Sequence, residues 1–181
     1  EARFADARHA ENVASVFTRE LARSGTTLAL VYGSVHPAAT DILFSAANRS
    51  GQRMIAGPVL MDSHCPVELQ LPVEAAMEGI RGLVSRWHGH DGGRLNVAVI
   101  PRFALSCTSS MLKAAGELAS ELELWTSTHL SENEDECRIA RERFQATDYL
   151  SVYEDCGLLN ERSIFAHCIH LSDDEMKRFQ K

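Results

Sequence analysis

Leu95-Asn96-Val97-Ala98-Val99-Ile100, then Met111, Leu112, Ala115 and Leu118, then Leu124-Trp125-Thr126-Ser127-Thr128, decide the fold class. The first and last stretches are short apolar or β-branched runs that read as buried strands. The residues between them recur at helical spacing. A strand, a helix and a second strand within about 35 residues form a βαβ unit, which requires two parallel strands.

The same alternation extends in both directions. Upstream, a helix over Asp6–Arg23 carries Val13, Val16, Phe17 and Leu21 at helical spacing, and Gly25 stops it. A strand follows over Thr26–Tyr32. Pro37 suits the first turn of the next helix, with Ile42, Leu43 and Ala46 facing inward. Met54–Met61 reads as a strand interrupted at Gly57-Pro58, and Val73–Arg86 as a helix. Downstream come helices over Glu132–Phe144 and Tyr149–Asp155, a strand over Ser163–Ala166, and a helix from Asp173. Five strands, each trailed by a helix, predict an α/β fold with a parallel sheet. Both a doubly wound sheet and a (β/α)8 barrel fit. No GxGxxG or Walker loop follows the first strand, which weakens a nucleotide-binding open sheet.

The chain has 181 residues, a length for one domain or at most two. Its 45% hydrophobic and 24% charged residues exclude disorder, collagen and coiled coil. No apolar run is long enough to cross a bilayer. No basic n-region followed by an apolar h-region opens the chain, so no signal peptide is expected. A formal charge of −7 argues against nucleic acid or an anionic membrane as the main partner. The five cysteines are widely spaced without a CxxC, which predicts reduced thiols in a cytoplasmic protein.

In parallel α/β folds, chemistry gathers at the carboxyl ends of the strands. His36 follows the first strand, Asp62 and His64 the second, Arg102 the third, His129 and Glu132 the fourth, His167 and His170 the fifth. Neutral imidazoles suit a metal, and a neighbouring carboxylate can carry protons. The blander readings are a strand-end histidine at 129 and, for Glu132, a first-turn acid stabilised by the helix dipole. His88-Gly89-His90 has metal-like spacing but precedes a strand among glycines, and so reads as a surface turn. His129-Leu130-Ser131-Glu132-Asn133-Glu134 is echoed by His170-Leu171-Ser172-Asp173-Asp174-Glu175, and each predicts a capping box with Ser at the N-cap. Cys107, Cys137 and Cys168 read as packing residues.

Pro101-Arg102-Phe103-Ala104-Leu105-Ser106-Cys107, Thr128-His129-Leu130-Ser131-Glu132-Asn133 and Ala166-His167-Cys168 resemble the amidohydrolase superfamily and, within it, the guanine deaminases. Tyr149-Leu150-Ser151-Val152-Tyr153 and Val59-Leu60-Met61-Asp62 add to the likeness, which runs in order along the whole chain. The resemblance implies a (β/α)8 TIM barrel with one zinc ion, in which the five strands are barrel strands two to six. It implies His129 and His167 as zinc ligands, Glu132 as catalytic proton shuttle, and Arg102 and Phe103 as residues that hold the purine. His170 is the rival of His167, which is preferred because it directly ends its strand. His36 is a further, weaker candidate for the pocket. The implied reaction is hydrolysis of guanine to xanthine and ammonia in a cytoplasmic homodimer.

A complete barrel takes about 250 residues. Barrel strands one, seven and eight, with the family's HxH and its last Asp, are missing from 1–181. The expectation is therefore a partial barrel domain, part of a longer enzyme, inactive alone and with an uncovered inner face. Other amidohydrolases acting on amino- or chloro-substituted heterocycles remain open at this point. So does a metal-free binding or assembly module.

Overall fold

A computed structural model describes residues 1–179. It contains helix α1 (Ala7–Arg23), strand β1 (Leu28–Tyr32), α2 (Pro37–Ser50), β2 (Arg53–Gly57) and β3 (Val59–Leu60). Next come α3 (Val73–Trp87), a short helical turn α4 (His90–Gly93), β4 (Leu95–Pro101) and α5 (Ser109–Glu121). The last elements are β5 (Trp125–Leu130), α6 (Glu134–Phe144), α7 (Tyr149–Glu154), β6 (Ser163–His167) and α8 (Asp173–Arg178). No helix among the described residues is long and apolar enough to cross a membrane.

All the strands run parallel, in the order β1-β2-β4-β5-β6, with β3 also paired to β4. Strand order thus follows chain order, as in a barrel wall, with no reversal in the sheet. The interruption expected at Gly57-Pro58 is present: β2 ends at Gly57 and β3 begins at Val59. A Cβ on Gly57 would meet the Ala98 carbonyl oxygen, so only glycine lets β4 approach there.

Side chains alternate across the sheet. Val97 and Val99 of β4 join the larger core beneath the helices, with Phe44, Ile80, Leu83 and Met111. Ala98 and Ile100 face the other way, into a second cluster with Val35, Val59 and Met61. The uncovered inner face expected from the sequence is found in part: the centre of the sheet is covered, while Leu28 of β1 and Ile164 of β6, on the same face, remain exposed. The segment 62–71 forms a strap over this second cluster: Cys65, Leu69 and Leu71 pack on it, and the Leu71 amide donates to the Met61 carbonyl at 3.0 Å. Among the described residues, β1 and β6 each have one unpaired edge.

Three further expectations are corrected. β5 extends to Leu130 and β6 to His167, because Leu130↔His167 continues the ladder. The helix after β5 begins at Glu134, not Glu132, with Asn133 as its N-cap, accepting from the Glu136 amide at 2.9 Å. Ser131 cannot be the cap, since its φ of 53° is left-handed whereas an N-cap is extended. The echoed box is present: Ser172 caps α8 and exchanges hydrogen bonds with Glu175.

Candidate active site

The alternation of β5 sorts its residues by face. Thr128 and Leu130 point to the helices, where Thr128 meets Tyr153 and Leu130 joins the core. Ser127 and His129 point to the concave face. There the Tyr32 hydroxyl bonds Ser127 Oγ at 2.9 Å, and the Tyr32 ring meets the His129 ring edge-on at 4.9 Å. Burial pushes the Tyr32 phenol up despite that hydrogen bond.

Regular alternation would put His167 on the helix side, since its ladder partner is Leu130 and Phe165, two residues earlier, packs on Tyr153. Its backbone instead takes a left-handed φ of 72°, followed by Cys168 at 57°. The ring thereby crosses to the concave side and stacks on His129 with centroids 5.2 Å apart. Left-handed backbone costs an L residue about 1–2 kcal/mol, and such strain gathers at functional sites. The loops after β5 and β6 hold the conformation. Cys168 N donates to Leu130 O, and Ile169 N and His170 N both donate to Ser131 O, at 2.8–3.1 Å.

Glu132 stands outside α6 and is half-exposed, so it is not the first-turn acid of the blander reading. Its Oε2 lies 3.6 Å from His167 Nε2. The structure thus brings His129, His167 and Glu132 together at the carboxyl ends of β5 and β6. His170 is left outside, in a surface groove with Cys137, Arg138 and Asp174.

Arg102 and Phe103 follow β4. The Arg102 carbonyl accepts two hydrogen bonds from His129, from the amide at 3.3 Å and from ring Nδ1 at 2.7 Å. A carbonyl only accepts, so Nδ1 carries a proton, and Nε2 is the nitrogen left to bind a metal. The Arg102 side chain is exposed. Its guanidinium lies 5.5 Å from the centre of the Phe103 ring and 3.8 Å from Met61 Sδ.

The remaining strand-end residues are engaged elsewhere. The Asp62 carboxylate accepts from Thr108 N at 2.7 Å and from Thr108 Oγ1 at 2.6 Å, tying the loop after β3 to the start of α5. His64 Nδ1 accepts from Arg143 at 2.9 Å, and Arg143 also donates to the Leu105 and Cys107 carbonyls. His36 occupies the N-cap position of α2, and its Nε2 is buried with no hydrogen-bond partner among the described residues. His88 Nδ1 accepts from Val97 N at the amino end of β4, away from the site. Cys107 is wholly buried and its thiol is pushed up to about 12 by burial, in keeping with a packing role.

Tyr153 and Arg143 tie the site loops together, and sequence reasoning missed both. Half of their partners are backbone atoms, and nearly all lie far away in the chain, which no local motif announces. The one sign was the stretch Tyr149-Leu150-Ser151-Val152-Tyr153, which the family likeness picked out without a role and which puts two tyrosines at i, i+4.

Two imidazoles and a carboxylate suit zinc chemically, and the Nδ1–H···O=C bond of His129 is the usual orientation of a ligating histidine. Two histidines fall short of the three protein ligands usual at a catalytic zinc. Among the described residues, no group of three or more His, Cys, Asp or Glu is placed to hold a metal ion. The donors present fit part of a zinc site.

The model of the amidohydrolase family matches residues 4–181. The guanine deaminase of Escherichia coli K12 is 39% identical over 183 residues, covering 100% of this chain and 41% of that protein. The solved structure of E. coli guanine deaminase superposes with a TM-score of 0.94 at 38% identity, over 98% of this chain and 42% of that one. A guanine deaminase from C. acetobutylicum, with guanine bound in its active site, gives 0.93 at 26% identity, over 99% of this chain and 43% of that one. The chain therefore spans about two fifths of the length of the relatives it matches, and its fold is that of a partial TIM barrel.

Proposed function

This chain belongs to the amidohydrolase family, and on that premise we propose that it carries the central part of the active site of a zinc-dependent guanine deaminase. Guanine and water would give xanthine and ammonia. In this reading the strands in sheet order, β1, β2, β4, β5 and β6, correspond to barrel strands two to six. Further ligands would come from segments outside these 181 residues, and the 181 residues alone would not deaminate guanine. The setting would be cytoplasmic and the assembly a homodimer, as the relationship suggests.

The observation that carries the reading is the meeting of His129, His167 and Glu132 at the ends of two adjacent strands, one turned there by a left-handed backbone. His129 and His167 would hold the zinc ion, whose chemistry is to bring the pKa of water toward ~7 so that hydroxide is available at neutral pH. The Arg102 carbonyl keeps the His129 ring in one tautomer and one orientation. Glu132 would take the proton of the attacking water, pass it to a ring nitrogen of guanine, and finally give a proton to the departing amino group. A C2–O bond forms and the C2–N bond breaks, and no redox partner is needed. The Arg102 guanidinium offers fixed donors to the purine carbonyl, and Phe103 supplies an apolar surface for the ring.

The test is xanthine formation from guanine by zinc-loaded protein in which these 181 residues are joined to the segments that complete the site. Turnover dependent on zinc is expected. Absence of xanthine with one zinc bound per chain would overturn the reading.

A further inference from the structure

We propose that Tyr153 is a positioning residue for this reaction, whose buried hydroxyl fixes the purine-holding segment Arg102–Phe103 relative to His129. The inference rests on the reading of the site above, and on one oxygen atom whose hydrogen-bonding capacity is fully used.

A phenol has one proton and two lone pairs. Tyr153 Oη donates to the His129 carbonyl at 2.8 Å. It accepts from the Ala104 amide at 2.9 Å and from Thr128 Oγ1 at 3.1 Å. Ala104 is the residue after Phe103, and the His129 carbonyl belongs to the proposed ligand itself. Tyr153 on α7 therefore clamps the segment after β4 and the end of β5 from behind the sheet, on the face opposite to the reaction.

The clamp is rigid. Tyr153 is completely buried, and its ring packs on Tyr149 and on Phe165, with centroids 5.5 and 5.8 Å away. Phe165 lies two residues before His167, so all three strand ends of the site bear on this one side chain. Burial holds the phenol well above its ordinary pKa, and it stays a donor at any working pH. Without the hydroxyl, a buried amide and the His129 carbonyl would each lose a partner, and both segments would be free to move.

Tyr153→Phe removes only that oxygen. We expect kcat/KM for guanine to fall about tenfold or more, with KM rising and kcat falling together, because small misplacements of reacting groups are costly. Rates are compared at a temperature where each variant is fully folded. Tyr149→Phe is the control. Its hydroxyl lies 3.3 Å from the Tyr153 hydroxyl but contacts neither site segment, so kcat and KM should stay close to wild type. Wild-type kcat and KM in folded Tyr153→Phe would overturn the proposal. If that variant does not fold, Thr128→Val takes its place, removing one donor to the phenol. A several-fold lower kcat/KM supports the clamp, and an unchanged value overturns it.

A readout without turnover separates this proposal from the functional reading. In protein labelled with ¹⁵N-histidine, the His129 Nδ1–H bonded to Arg102 should exchange faster with solvent in Tyr153→Phe than in wild type. Unchanged exchange overturns the proposal whatever the substrate. Faster exchange in a protein that does not deaminate guanine supports the clamp and overturns only the choice of substrate.

Discussion

His167 is the ladder partner of Leu130, yet its ring lies on the opposite face of the sheet, against His129. A φ of 72° makes the crossing, and the hydrogen bonds of the loop behind it keep the backbone there. The strain at His167 is thus tied to where its imidazole must point.

That relationship predicts an inverted stability order at position 167. In an ordinary strand glycine is less stable than alanine by roughly 0.5–1 kcal/mol. Here His167→Gly should exceed His167→Ala by about 1 kcal/mol, because glycine adopts a left-handed backbone freely. Urea unfolding of the two variants measures it. Alanine equal to or above glycine would show that the backbone at 167 is not strained.

Glu132→Gln keeps the shape of the side chain and removes its capacity to take a proton. Guanine turnover should fall on the order of 10²–10⁴-fold, the usual worth of a positioned acid–base group. Zinc content should not change, since Glu132 is not assigned as a ligand. A rate within tenfold of wild type would take the proton-carrying role away from this residue.

Arg102→Ala should lower kcat/KM for guanine about tenfold to hundredfold through loss of a charge-assisted hydrogen bond. Arg102→Lys should not restore it, because an ammonium lacks the planar fork of the guanidinium. Zinc binding should survive both changes, as the carbonyl that holds His129 is retained. Full rescue by lysine would mean that charge alone is read at this position.

Stability should fall on mild acidification, in a window set by His88. Burial holds its pKa below the ordinary value near 6.5, aided by the positive charge of Arg162. The unfolded chain therefore binds a proton more readily than the folded one. Stability is intact above about pH 6.5 and declines as pH drops through that value. His88→Gln keeps an acceptor for the Val97 amide and removes the titration, so its urea midpoint should vary less between pH 5 and 7. Parallel profiles for the two proteins would place the sensitive group elsewhere.

Much of this was readable along the chain. The runs at 95–100 and 124–128 gave strands because β-branched and apolar residues there sit between helix-periodic segments, and sheet order follows from parallel crossovers. His129, Glu132 and His167 were visible as strand-end residues in recognisable motifs. The start of α6 was misplaced because Ser131 and Glu134 match a capping box, while the pull of Ile169 and His170 on the Ser131 carbonyl comes from far along the chain. The strap over the concave face was hidden for a similar reason. Leu69 and Leu71 look like loop residues until the Ala98 and Ile100 face is built beneath them. Tyr153 and Arg143 bond to atoms of several distant segments, half of them backbone atoms, and side-chain motifs leave no trace of such bonds.

The hold on His129 is made by the main chain of Arg102, not by its side chain. Every amino acid has that carbonyl, so residue 102 can be exchanged without releasing the imidazole. In the proposed reading, choice of substrate and maintenance of the reactive centre would thereby be separable under mutation, even within a single residue. A lineage starting from this barrel can try new side chains at 102, and hence new heterocycles, while each intermediate keeps its grip on the centre that does the chemistry.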